Sequence, residues 1–91
     1  MSESNIERRL AKKVEKLGGL APKFLSGIAG VPDRLILAPG GRAFFVETKD
    51  IGEKLRPLQQ KRKQQLERLG FKVYKIDSID KIDGFIEEVF T

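Results

Sequence analysis

The sequence predicts an α/β fold in the order α-β-β-β-α-β-α, a mixed central sheet flanked by helices, with residues 1–91 forming a single domain. Three observations predict it. Apolar residues repeat at helical spacing near the start; two β-rich runs meet at Pro39-Gly40-Gly41; and a helix, a strand and a helix then follow in turn.

Residues 4–17 read as a helix because Ile6, Leu10, Val14 and Leu17 share one face and Gly18-Gly19 ends the run. Ser4 and Glu7 have capping-box spacing, with Glu7 able to reach back to the Ser4 amide. Residues 21–28 read as an irregular or edge strand. Asp33 to Ala38 and Arg42 to Lys49 read as a hairpin around the Pro-Gly-Gly turn. Asp50 to Lys54 is a loop. Pro57 suits the first turn of a second helix, which runs to about Leu69 and stops at Gly70. Phe71 to Ile76 alternates as a strand, with Phe71, Val73 and Tyr74 or Ile76 turned inward, and a last helix covers about Ile79 to Val89.

The 91 residues contain neither cysteine nor histidine. That excludes thiolate and imidazole metal sites, Ser-His and Cys-His triads, and zinc hydrolases built on histidine. Hydrolysis would have to use carboxylates with a hard cation such as Mg²⁺ or Mn²⁺. The net charge is +5, unevenly placed. From Asp77 to Thr91 five acids face one base, Lys81, so this segment carries −4 and the first 76 residues carry +9. A positive body suits a polyanion partner. No apolar run approaches the roughly 20 residues of a membrane span, and no secretory signal is visible, which fits a cytoplasmic protein.

Against this background three residues stand out. Asp33 opens one apolar run, and Glu47-Thr48-Lys49 closes the next. Alternation puts Phe45, Glu47 and Lys49 on one face and Phe44, Val46 and Thr48 on the other. Glu47 and Lys49 then stand about 6.5–7 Å apart, leaving room for a cation and its water. A three-residue loop, Pro39 to Gly41, pairs Ala38 with Arg42 and sets Asp33 opposite Glu47. A two-residue loop would oppose Asp33 to Thr48 and turn the acid away. The three-residue loop is therefore expected, with Asp33, Glu47 and the Thr48 carbonyl as cation ligands. Lys49 would orient the attacking water and hold a phosphate oxygen.

Gly30-x-Pro32-Asp33, followed by Glu47-Thr48-Lys49, resembles the PD-(D/E)XK nuclease superfamily, and more closely its stand-alone VRR-NUC domains of phage and bacterial type. The Leu55-Arg56-Pro57-x-Gln59 helix entry and the Gly70-Phe71-x-Val73 strand extend the resemblance from about Ile6 to Ile76. It implies a restriction-endonuclease-like fold and a Mg²⁺- or Mn²⁺-dependent, structure-selective endonuclease acting on DNA, similar to Holliday-junction resolvases and working as a homodimer. It implies Asp33, Glu47 and Lys49 as the catalytic core, Gln59 as a residue positioning water or backbone, and an acid of the first helix, Glu7, near the metal. Where many relatives carry an aromatic residue about three positions after the glutamine, this chain has Arg62, which leaves Gln59 and Gln60 both in play.

Lys54, Arg56, Lys61, Arg62 and Lys63 surround the second helix, with Arg34 and Arg42 near the hairpin. Of these, Lys54, Arg56, Arg34 and Arg62 are the expected nucleic-acid contacts, Lys54 and Arg56 first because their loop follows Lys49. Such contacts read shape rather than sequence. A symmetric cut across a branched DNA needs two sites related by a two-fold axis. Leu17, Leu20, Phe24, Ile28, Ile79, Ile82, Phe85 and Phe90 are candidates for a dimer interface. Neither a membrane nor a small-molecule cofactor is implied. Two rival readings are a non-catalytic nucleic-acid-binding module of the same fold and a small interaction protein using its acidic end.

Overall fold

The computed structural model describes residues 2–90; Met1 and Thr91, the outer ends of the first and last segments discussed above, lie outside them. Its elements are α1 (Glu3–Lys16), β1 (Arg34–Ala38), β2 (Arg42–Thr48), α2 (Pro57–Arg68), β3 (Val73–Ile76) and α3 (Ile79–Phe90). The sheet order is β1-β2-β3, with β1 antiparallel and β3 parallel to β2. No helix among the described residues is long and apolar enough to cross a membrane.

The core forms on one sheet face. Ile6, Leu10 and Val14 of α1 and Ile82, Phe85 and Val89 of α3 close over Ile36, Phe44, Val46 and Ile76. Their helical spacing is why α1 and α3 lie on this face. Phe44, Tyr74 and Phe85 meet edge to face, with centroids 4.8–6.3 Å apart. The other face is thinner: Phe45 packs against Phe24 and Phe71, and α2 buries only Gln59.

The hairpin has the expected three-residue loop. Ala38 pairs with Arg42 and Arg34 with Val46, so the next position sets Asp33 opposite Glu47. Gly40 and Gly41 have φ of +87° and +74°, a region L side chains avoid, which explains two consecutive glycines there.

Four expectations change. The mixed sheet between helices stands, but its first strand does not form. Residues 21–28 instead run beside β1 through two isolated bridges, Leu20 to Leu37 and Lys23 to Arg34, because Pro22 has no amide to donate. Helix α1 starts two residues earlier than the Ser4–Glu7 pattern implies: Ser2 is the N-cap and its hydroxyl accepts from the Asn5 amide, so Ser4 is not the capping residue. Phe71 precedes β3 and stays 42% exposed while its ring edge packs on Phe45. Ile82 and Phe85 are core, which removes them from a dimer interface, whereas Leu17, Leu20 and Ile28 are exposed.

Gly30 has φ +85°, and a Cβ there would lie 2.8 Å from the Leu58 carbonyl oxygen. This close approach locks the segment leading into Asp33 against the start of α2. Gly84 by contrast is an α3 residue whose Cβ would meet nothing within 4 Å. In urea unfolding, Gly30→Ala should lose about 1–3 kcal/mol through backbone strain and overlap. Gly84→Ala should gain up to about 1 kcal/mol through helix propensity.

Candidate active site

Three elements converge at one end of the sheet. Glu3 and Glu7 lie one turn apart on the first half of α1, the chain before β1 supplies Asp33, and the end of β2 supplies Glu47, Thr48 and Lys49. Phe24 fixes the Asp33 backbone by donating its amide to the Asp33 carbonyl at 2.8 Å.

Glu3, Glu7 and Asp33 each offer a carboxylate oxygen within 4.8 Å of the others. Among the described residues, Asp33 Oδ1 is buried without a hydrogen-bond partner. Burial raises the Asp33 pKa, and Glu7 raises it further. Burial likewise raises Glu3, with Asp33 and then Glu7 adding to it. Glu47 is pushed up to about 7, chiefly by burial and then by Asp33, against the opposing pull of Lys49 and Arg56. Carboxylates that raise one another's pKa form a site short of positive charge. An orphaned buried oxygen and an all-carboxylate donor set fit a hard divalent cation. The tightest cluster uses both acids of α1 with Asp33, while Glu47 approaches from the strand.

Glu7 is held from two sides. Thr48 Oγ1 donates to its Oε1 at 3.0 Å, and Arg34 Nη2 lies 3.2 Å from its Oε2. Arg34 Nη1 also donates to the Ala21 carbonyl at 2.7 Å. Arg34 is only 9% exposed. Its guanidinium is engaged within the fold by Glu7 and the Ala21 carbonyl. It lies opposite Val46 and so faces the core side, where it orients Glu7. Thr48 enters through its buried hydroxyl.

Lys49 is buried apart from its approach to Glu53, whose Oε1 is 3.5 Å away. Gln59, not Gln60, points inward; its Oε1 accepts the Arg56 amide at 2.9 Å and caps α2. Gln60 is exposed and donates to the Leu55 carbonyl. Lys54 and Arg56 are exposed, as a phosphate contact requires. Arg62 instead donates to the Ala29 carbonyl and to Gln65, both at 2.8 Å, tying α2 to the segment before β1. Glu3 is the site residue the sequence reading missed. Its i,i+4 spacing from Glu7, which puts both acids on one helix face, is the signal that points to it.

No family model matches the chain. Over 79 residues, 86% of the chain and 85% of the relative, it is 47% identical to a protein of Acyrthosiphon pisum secondary endosymbiont phage 1 named "Putative nuclease p44". A solved structure described as a VRR_NUC domain superposes with TM-score 0.90 at 31% identity, covering 97% of each chain. A second, a VRR_NUC domain protein, gives TM-score 0.75 at 20% identity over 96% of this chain and 86% of that one, a likeness of fold.

Two outcomes follow from this geometry. A carboxyl with a raised folded pKa binds its proton more tightly folded than unfolded. Its contribution is therefore complete below the ordinary value of 4.5 and is lost as pH rises through about 7. In EDTA, the thermal midpoint should fall from pH 5 to pH 8, and Glu47→Gln should flatten that fall. Arg34→Lys should weaken Mn²⁺ binding in calorimetry about 10–100-fold, the usual cost of losing a group that orients a ligand.

Proposed function

Since the chain belongs to the VRR-NUC domain family of nucleases, we propose that it is a metal-dependent endonuclease hydrolysing phosphodiester bonds in branched DNA as a homodimer. The observation that supports this most directly is the convergence of the carboxylates Glu3, Glu7, Asp33 and Glu47 beside the buried ammonium of Lys49. Mg²⁺ or Mn²⁺ would be held by Asp33, Glu7 and Glu47, with Glu3 adjacent; when bound it lowers the pKa of a coordinated water and offsets charge growing on the phosphate.

The chain's own residues do the remaining work. Lys49 exchanges Glu53 for a phosphate oxygen and holds the scissile group against the acids. Arg34 and the Thr48 hydroxyl keep Glu7 from turning away from Asp33. Gln59 fixes the start of α2, and so the path of Lys54 and Arg56 beside the site. A Holliday-junction resolvase activity fits two such sites on a C2 dimer, with exposed Leu17, Leu20 and Ile28 offering apolar surface for the contact. A phage-encoded enzyme of this kind would act in the host cytoplasm.

The test is cleavage of labelled four-way junction, duplex and single-stranded DNA with Mg²⁺, Mn²⁺ or EDTA, beside Glu47→Ala and Lys49→Ala. Metal-dependent cutting of the junction, lowered at least about 100-fold in both variants, is the expected result. Tight binding without metal-dependent cleavage would instead favour a non-catalytic binding module. Equilibrium sedimentation should give twice the 10.3 kDa chain mass; a monomer at micromolar concentration removes the paired-site reading.

A further inference from the structure

The groove between α2 and β3 opens on the sheet face that carries Glu47. Parallel pairing sets Lys75 beside Glu47, so both side chains leave the same face of neighbouring strands about 4.8 Å apart. Beyond Lys75 the groove is lined by Lys54, Gln60, Lys63, Gln64 and Glu67 and encloses about 430 Å³. Three lysines against one glutamate make it cationic. Lys63 lies 3.8 Å from Glu67 and Lys75 lies 3.6 Å from Asp77. These long, part-exposed ion pairs are weak and exchange for another anion at little cost.

Two more features bear on what fits there. The first turn of α2 carries no acidic residue, so the positive end of the helix is unopposed next to Lys54 and Leu55. Among the described residues no aromatic side chain lines the groove, so a base would find no stacking surface. Lysines and amides without aromatics match a sugar-phosphate backbone. The chain also links groove and site: Glu53 holds Lys49, and the next residue, Lys54, lines the groove.

We infer that this groove carries the phosphodiester backbone of the DNA strand flanking the bond to be cut, with Lys54, Lys63 and Lys75 contacting successive phosphates. The inference rests on the nuclease reading only in placing the scissile phosphate at Lys49. It adds Lys63 and Lys75 to the expected binding residues. A rival basic patch exists on the exposed side of α1, where Arg8, Arg9 and Lys12 cluster.

The experiment reads binding without cleavage: fluorescence anisotropy of a labelled four-way junction in EDTA, from about 50 to 200 mM salt. The triple variant Lys54→Gln, Lys63→Gln, Lys75→Gln should lower the slope of log affinity against log salt by about 2–3, at about 0.9 per phosphate contact. Lys75→Gln alone should lower it by about 0.9, which keeps the test open should the triple variant fail to fold by circular dichroism. The corresponding triple change to arginine should keep the wild-type slope, and Arg8→Gln with Lys12→Gln should leave it unchanged. An unchanged slope in the glutamine variants, or a larger loss in the α1 variant, overturns the inference. A wild type that cuts DNA while the glutamine variants keep its slope removes the groove alone. A wild type that binds with a groove-dependent slope yet never cuts removes the nuclease reading and leaves the groove standing.

Discussion

The register of the β1–β2 hairpin governs both halves of the molecule. With Ala38 opposite Arg42, Ile36, Phe44 and Val46 fall on the face that α1 and α3 cover, and Asp33 falls opposite Glu47 on the far side. A slip of one residue would reverse every side chain. It would drive Phe45 and Glu47 into the apolar layer and expose Phe44 and Val46. The core therefore selects the same register that the acids need. Two glycines at positive φ hold the turn that produces it, so a single short loop sets packing and chemistry together.

That arrangement has an electrostatic cost. A chain of 91 residues has a thin stability margin, yet it gathers Glu3, Glu7, Asp33 and Glu47 in a partly buried space. Arg34 and Lys49 answer part of this charge. The pKa values of Asp33, Glu3 and Glu47 are still raised, first by burial and then by the neighbouring acids. The acids are held against repulsion by elements whose apolar residues are fully buried elsewhere, Ile6 and Leu10 on α1 and Val46 on β2. The side chains at greatest electrostatic disadvantage are thus rooted in the best-packed parts of the fold.

Much of this was legible. The helical period of Ile6, Leu10 and Val14, the Pro-Gly-Gly turn and the alternation across Phe44 to Lys49 are local signals, and the elements they predict formed. The failures came where one local pattern admits two physical uses. Ser-x-x-Glu serves a capping box, but Ser2 caps the helix two residues earlier and Glu7 meets Arg34 and Thr48 instead. Arg34 read as a surface cation by charge alone. The alternation that turned Asp33 toward Glu47 also turned its neighbour toward the core, and that consequence was available in the sequence. Residues 21–28 had the composition of an edge strand, but the missing amide of Pro22 left only two bridges. The i,i+4 spacing of Glu3 and Glu7 is a local signal, but their meeting with Asp33 depends on how α1 docks, which is a tertiary fact.

The thin second face of the sheet follows from the composition of α2. Its twelve residues include four glutamines and five charged side chains, and only Gln59 is buried. Such a helix cannot be held by apolar burial. It is held at points: Gly30 against Leu58, Arg62 on the Ala29 carbonyl, and Gln59 closing its own first turn. Point attachment leaves the surface between α2 and β3 polar and open next to Glu47. A better packed, more amphipathic helix would have added stability by closing that surface. The weakness of this layer and the accessibility of the strand end that bears Glu47 and Lys49 are one structural fact, since the side chains that would strengthen the layer are those that would cover the site.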